Sequence, residues 1–266
     1  MVERPGEAAT ARRTRIVLLG ASNLTRGIST VVETAHQMCG GPLEILAALG
    51  HGRSFGLPSS VLGRRLPGIL QCGIWQALES SPPAVTRALV TDIGNDLLYG
   101  APPETIAAWV DQCLTQLARA GAQTVMTRLP LQNLSSLSPT RYLVFRTLLF
   151  PACRHDLATI SGMARRLDEY LLDLAEKHAV QLVQPQRHWY GPDPIHVKIR
   201  HWPDVWQTAL APWNRADPLP PPASGSLRRW FFLRTRVPEL RYVWGWPQRR
   251  QQPCGVLPNG STLGFF

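Results

Sequence analysis

Short apolar runs separated by longer amphipathic stretches are the feature of this chain that leaves the fewest folds open. Thr14 to Leu19 (TRIVLL), Leu43 to Leu49 (LEILAAL), Arg87 to Ile93 (RALVTDI), Gln123 to Arg128 (QTVMTR) and Val180 to Val183 (VQLV) are brief and rich in Val, Ile and Leu. Runs of that kind suit strands buried on both faces of a parallel sheet. Parallel neighbours also need a long crossover between them, usually a helix.

The intervening segments supply such crossovers. Pro102 and Pro103 open a stretch with Ile106, Val110, Cys113, Leu114 and Leu117 at helical spacing, closed by Gly121. Ser138 and Pro139 read as the cap and first turn for TRYLVFRTLLF. His155 to His178 carries Leu157, Ile160, Met163, Leu167, Tyr170, Leu171 and Leu174, the stripe of a long helix on a sheet, and a last helix is expected over His201 to Trp213. The predicted architecture is therefore α/β: a three-layer α/β/α sandwich around a flavodoxin-like parallel sheet of about five strands.

A composition break at DPLPPPASGS (Asp217 to Ser226) divides the chain. The expected organisation is a disordered segment over 1–13, a main domain over 14–216, and a Pro-rich hinge with a basic, aromatic β tail over 217–266. In that tail RRWFFLRTRV and LRYVWGW have strand-like composition, and Asn259-Gly260 between apolar flanks is a hairpin signal.

The formal net charge is +10, and seven of the arginines follow Asp217. With Lys177 and Lys198 the only lysines, the basic character is almost wholly arginine. Nucleic-acid binding by RRWFFLRTR and WPQRR is a weaker reading than an apolar strand face docked on the domain. Five cysteines, odd in number and widely spaced without CxxC, suggest neither a disulfide framework nor a zinc site. The opening residues hold no apolar signal region, and IVLLG is too short to span a membrane. A soluble cytoplasmic protein is expected.

The chemistry-bearing residues cluster where strands end. Ser22 follows the first strand, at the carboxyl edge where open α/β sheets bind ligands. Taken alone it reads as a helix N-cap. Asp193-Pro194-Ile195-His196, in a Gly/Pro-rich loop after the fifth strand, offers an alternative: His196 to take the hydroxyl proton and Asp193 to orient the imidazole. Asn95 after the third strand, and the glycines of Gly50-His51-Gly52 after the second, are the available donors for a developing oxyanion.

GASN, the Gly-rich turn, GND and DPIH, in this order, resemble the four blocks of the SGNH (GDSL-like) hydrolase family over about residues 14 to 213. The resemblance implies an esterase or acyl hydrolase working through an acyl-Ser22 intermediate. Ser22 would be nucleophile and first oxyanion donor, Gly52 (with Gly50 the alternative) the second donor, Asn95 the third, His196 the base and Asp193 its orienting acid. The chain departs from the family pattern at Ala21, where Asp is usual, and at Gly94, which directly precedes Asn95.

Three further expectations follow. Gly52-Arg53-Ser54-Phe55-Gly56 matches the GxSxG elbow of another hydrolase fold and would make Ser54 the nucleophile, but too few strands precede it. The substrate is a small-molecule ester, with His51, Tyr142 and Phe145 as candidate substrate contacts; no cofactor or metal is called for. The competing function is a catalytically silent SGNH-like binding module whose Arg/aromatic tail contacts a partner or nucleic acid.

Overall fold

The computed structural model describes residues 13–214 and 218–266, so all of the expected disordered segment but Arg13, and Asp217 at the start of the hinge, lie outside the described residues. Five strands coincide closely with the apolar runs: β1 (Thr14–Leu19), β2 (Leu43–Ala48), β5 (Val85–Val90), β6 (Gln123–Thr127) and β7 (Gln181–Val183). Between β2 and β5 stand a short hairpin, β3 (Ser59–Val61) and β4 (Arg64–Leu66), and helix α2 (Ile74–Ser80). The remaining helices of the main body are α1 (Ser22–Cys39), α3 (Asn95–Leu98), α4 (Pro103–Arg119), α5 (Leu131–Ser135), α6 (Pro139–Leu149), α7 (Leu157–Lys177) and α8 (Trp202–Leu210).

The third run ends earlier than its composition implies. Thr91, Asp92 and Ile93 leave the sheet, and Asp92 takes a left-handed backbone at φ 61°. That bend has a function at the site.

The main sheet has the order β10-β11-β2-β1-β5-β6-β7, where β10 is Gly255–Val256 and β11 Thr262–Phe265, and is parallel except for its first strand. β1 alternates across it: Ile16 and Leu18 enter one core with α1 and α8, while Val17 and Leu19 enter the other with α2, α4 and α7. This is the three-layer arrangement, and it explains why the strand reads as continuously apolar. The chain leaves β1 toward β2 on one side and returns to β5 on the other, so a crevice opens at the carboxyl ends of β1 and β5.

The C-terminal segment adds four strands, two to a second sheet and two to the main sheet beyond the expected five. After α9 (Leu227–Arg234), β8 (Leu240–Val243) and β9 (Trp246–Arg249) extend the β3–β4 hairpin into a four-stranded second sheet. The hairpin β10 (Gly255–Val256) and β11 (Thr262–Phe265) turns at Gly260, φ 81°, and lays β11 parallel to β2. The β segment is thus partly continuous with the main sheet.

RRWFFLR is a helix where its composition suggests a strand. Ser226 caps α9 by accepting from Arg229 N, Leu233 is buried, Trp230 Nε1 donates to the Arg26 carbonyl at 3.1 Å, and Arg229 pairs with Glu33. Docking on α1 overrides the β preference of the aromatics.

Candidate active site

Ser22 begins α1 without acting as its cap. No side chain at the preceding position caps the helix. Instead the bend after β5 delivers the Asp92 carboxylate: Oδ2 accepts from the backbone N–H groups of Ala21 (2.9 Å), Asn23 (3.0 Å) and Leu24 (3.2 Å), and Oδ1 from Asn23 Nδ2 (2.8 Å). An acid at the positive end of the helix satisfies its orphan donors. Gly20 is tightly enclosed, since a methyl there would stand 2.7 Å from Thr91 Cγ2. With the cap supplied by Asp92, the Ser22 hydroxyl is left for another partner.

That partner is His196. The loop after β7 is closed by a bridge between Tyr190 and Val197, and within it Asp193 Oδ1 accepts from the N–H groups of Ile195 (3.0 Å) and His196 (3.2 Å). Asp193 Oδ2 meets His196 Nδ1 at 2.5 Å, and His196 Nε2 meets Ser22 Oγ at 3.0 Å. Burial by itself would raise the Asp193 carboxyl, but the bond to and charge of His196 and the two loop amides together outweigh it and leave the group below the usual carboxylate range. The three side chains singled out at opposite ends of the sequence therefore form one chain of hydrogen bonds.

Asn23 joins the two halves. Besides its bond to Asp92, its Nδ2 donates to the Ile195 carbonyl at 2.8 Å, and its Oδ1 accepts from Val197 N at 2.8 Å. Sequence reasoning assigned no role to Asn23 or Asp92. The available signal was an Asp at the close of a strand facing the start of a helix with no acid in its first turn.

Asn95 opens α3 beside Ser22, and both line the same cavity. Among the described residues its Nδ2 is buried without a hydrogen-bond partner. A buried amide in that condition is costly unless something else engages it. Gly52 has φ 62°, its carbonyl accepts from the Tyr99 hydroxyl at 2.7 Å, and a methyl on it would lie 2.5 Å from that oxygen. Gly50 is also hemmed in, by Leu66.

Ser54 is fully buried, and its hydroxyl accepts from Gly56 N (3.2 Å) and Leu57 N (2.7 Å). It shapes the loop and cannot meet a substrate. Asp96, the acid of GND, is equally buried, accepts from Phe55 N at 3.0 Å, and is pushed up to about 6 by burial, against the bonds from Phe55 and Ser54. Arg53 is buried as well, donating to the main-chain oxygens of Leu49 (3.3 Å) and Phe266 (2.6 Å). The Gly52 loop is thus tied to α3 on one side and to the last strand on the other.

On the β5–β6 side of Ser22 lies a cavity of about 140 Å³, walled by Leu98, Leu129, Leu134, Leu137, Phe150 and Ile160 among others. Tyr142 and Phe145 of α6 also line it, Tyr142 by its ring, because its hydroxyl turns away to the His155 carbonyl at 2.9 Å. His51 is not among the lining residues; it stands on the β2 side, bonded to Arg234.

No family model matches the sequence, and no curated protein does. Among solved structures, one aligns at TM-score 0.53 with 12% identity, covering 75% of this chain and 96% of that one. What is shared is a fold. An aryl esterase of M. smegmatis in inhibitor-bound form is similar at TM-score 0.49, 16% identity, 75% of this chain and 97% of that chain. AlinE4, described as an SGNH-hydrolase family esterase, is similar at TM-score 0.43, 18% identity, 77% and 96%.

Proposed function

We propose that the protein is a serine esterase of the SGNH type, with Ser22 as nucleophile, His196 as general base and Asp193 as its orienting carboxylate. The observation that carries this reading is the continuous relay from Asp193 Oδ2 through His196 to Ser22 Oγ, at 2.5 and 3.0 Å, beside an apolar cavity. Asp193 holds the proton of the neutral imidazole on Nδ1, so Nε2 has its lone pair toward Ser22.

In the first half-reaction the Ser22 oxygen bonds to the substrate acyl carbon while its proton passes to His196 Nε2. The alkoxide leaving group departs with that proton as the C–O bond breaks. Water then attacks the acyl-serine, gives its proton to His196, and Ser22 recovers it as the acid leaves. Negative charge on the acyl oxygen falls to the backbone N–H groups of Ser22 and Gly52 and to Asn95 Nδ2, whose unpartnered state suits a donor waiting for an oxyanion. Ala21 in the first block removes no member of this set, and Asp92 takes over the capping of the helix. The acyl part occupies the cavity beside Tyr142 and Phe145. The proposed compartment is the cytoplasm, on the strength of the five widely spaced cysteines.

Hydrolysis of p-nitrophenyl esters of graded chain length by wild type, Ser22→Ala, His196→Ala and Ser54→Ala tests the assignment. Activity lost with Ser22 and His196 but kept in a folded Ser54→Ala protein is expected. Residual turnover of Ser22→Ala above roughly a thousandth of wild type overturns it.

A further inference from the structure

The apolar cavity accounts for one side of Ser22; the other side, toward β2, is basic. Arg26 lies four residues after Ser22 on α1, one turn along the same face. Arg234 donates to His51 Nε2 at 2.8 Å, and because arginine carries no acceptor, that nitrogen is unprotonated. The Arg234 guanidinium sits over the Trp230 ring, 5.3 Å from its centroid, and Trp230 is the residue bonded to the Arg26 carbonyl. α9 thus brings Arg234 to the first turns of the Ser22 helix.

Arg64 comes to the same place from the second sheet. It pairs with Val61 across the β3–β4 hairpin, so the two side chains share a face, and Val61 Cγ2 would stand 3.2 Å from a methyl on Gly52. Arg241 shares that face, two residues from Val243, the partner of Arg64 on β8. Burial and the fields of Arg234, His196, Arg26 and Arg64 together depress His51 to about 4, which keeps its ring neutral. Among the described residues none of these four arginines forms an ion pair with a carboxylate, whereas Arg15, Arg128 and Arg229 are each paired.

We propose that Arg26, Arg64 and Arg234 form a phosphate-binding subsite for the leaving-group portion of the substrate, so that the ester hydrolysed carries an apolar acyl part and a phosphate on its alcohol part. The inference rests on the esterase reading of Ser22. Three arginines whose charges all act on one neutral imidazole match a dianion better than a single carboxylate charge, and the planar fork of arginine suits phosphate oxygens. The acyl side is taken by the cavity, which leaves the Gly52 side for the alcohol. Arg234 lies in the C-terminal segment, outside the hydrogen-bonded relay, so the subsite gives that basic segment a role.

The test compares phenyl butyrate with 4-(butyryloxy)phenyl phosphate, a matched pair differing in the distal phosphate. Wild type should favour the phosphate ester in kcat/KM by about tenfold or more at low ionic strength, with the preference shrinking as salt rises. The ratio should collapse in Arg64→Gln/Arg234→Gln and be largely kept in Arg64→Lys/Arg234→Lys, which retains the charge. A wild-type ratio near one, or a ratio indifferent to the glutamine variant, overturns the subsite while leaving the esterase intact. Binding of phenyl phosphate to Ser22→Ala, with phenol as control, reads the subsite without turnover. Saturable phosphate-dependent binding, lost in the glutamine variant, supports it even if neither ester is hydrolysed; no binding overturns it.

Discussion

Asn23 stands next to Ser22 and donates to the carbonyl of Ile195, next to His196, at 2.8 Å, so the residue beside the nucleophile holds the residue beside the base. The Val197 N–H returns a bond to the same side chain. Among the described residues, the only other hydrogen bond between the first turn of α1 and the DPIH loop is the Ser22–His196 contact itself. The 3.0 Å contact between Ser22 and His196 therefore depends on a side chain that takes no part in proton transfer. Asn23→Ala should lower kcat by about a hundredfold, the scale expected when reacting groups are misplaced by an ångström, with KM changed far less. Steady-state kinetics with p-nitrophenyl butyrate and the rate of fluorophosphonate labelling check this together, and a merely structural role would move neither in a folded protein.

Asn95 predicts an opposition between activity and stability. Its Nδ2 is buried and unpartnered in the resting protein, so Asn95→Ala should leave the urea midpoint unchanged or raised. If that amide receives the oxyanion, the same variant loses about 10²- to 10³-fold in kcat. A loss of stability with full activity would reverse the assignment.

Gly52 has no room and no conformational latitude. A β-carbon would meet the Tyr99 hydroxyl at 2.5 Å in a backbone of φ 62°. Gly52→Ala should cost about 1–3 kcal/mol of stability and depress kcat, because the loop cannot shift without moving its N–H. Chemical denaturation and kinetics on one preparation give both readings.

Asp96 makes stability depend on pH in the acid range. Its folded pKa of about 6 lies above the ordinary aspartate value of 3.8, so the native state holds the proton more tightly than the unfolded chain. The stabilising contribution is complete below the unfolded value and is lost as pH rises through about 6; it amounts to at most about 3 kcal/mol. Asp96→Asn should flatten the denaturation midpoint between those limits relative to wild type. An identical pH profile in the variant would remove Asp96 as the cause.

Much of the frame was legible because it rests on periodicity. Strands buried on both faces read as unbroken Val/Ile/Leu runs, and α6 is capped at Ser138 as its Ser-Pro start indicates, whereas the Asp156 cap of α7 emerges only in the structure. Less legible were features that depend on partners far away in sequence. The aromatic stretch before Thr235 resembles a strand until Arg26 and Glu33 are seen to receive it as a helix. Ser54 resembles a nucleophile until its hydroxyl is seen turned inward to two backbone amides.

By itself the sequence determined the α/β layering and the order of Ser22, Gly52, Asn95, Asp193 and His196 at the ends of strands, because apolar period and chain order are local properties. Only the tertiary structure decided that Asp92, rather than Ser22, caps α1, that Asn23 joins the two halves of the site, and that the C-terminal segment enters the main sheet and delivers Arg234 to its basic side. Those outcomes are hydrogen bonds and contacts across large sequence separations. Their geometry is set by how the strands are ordered and where β5 bends, which no window of adjacent residues contains.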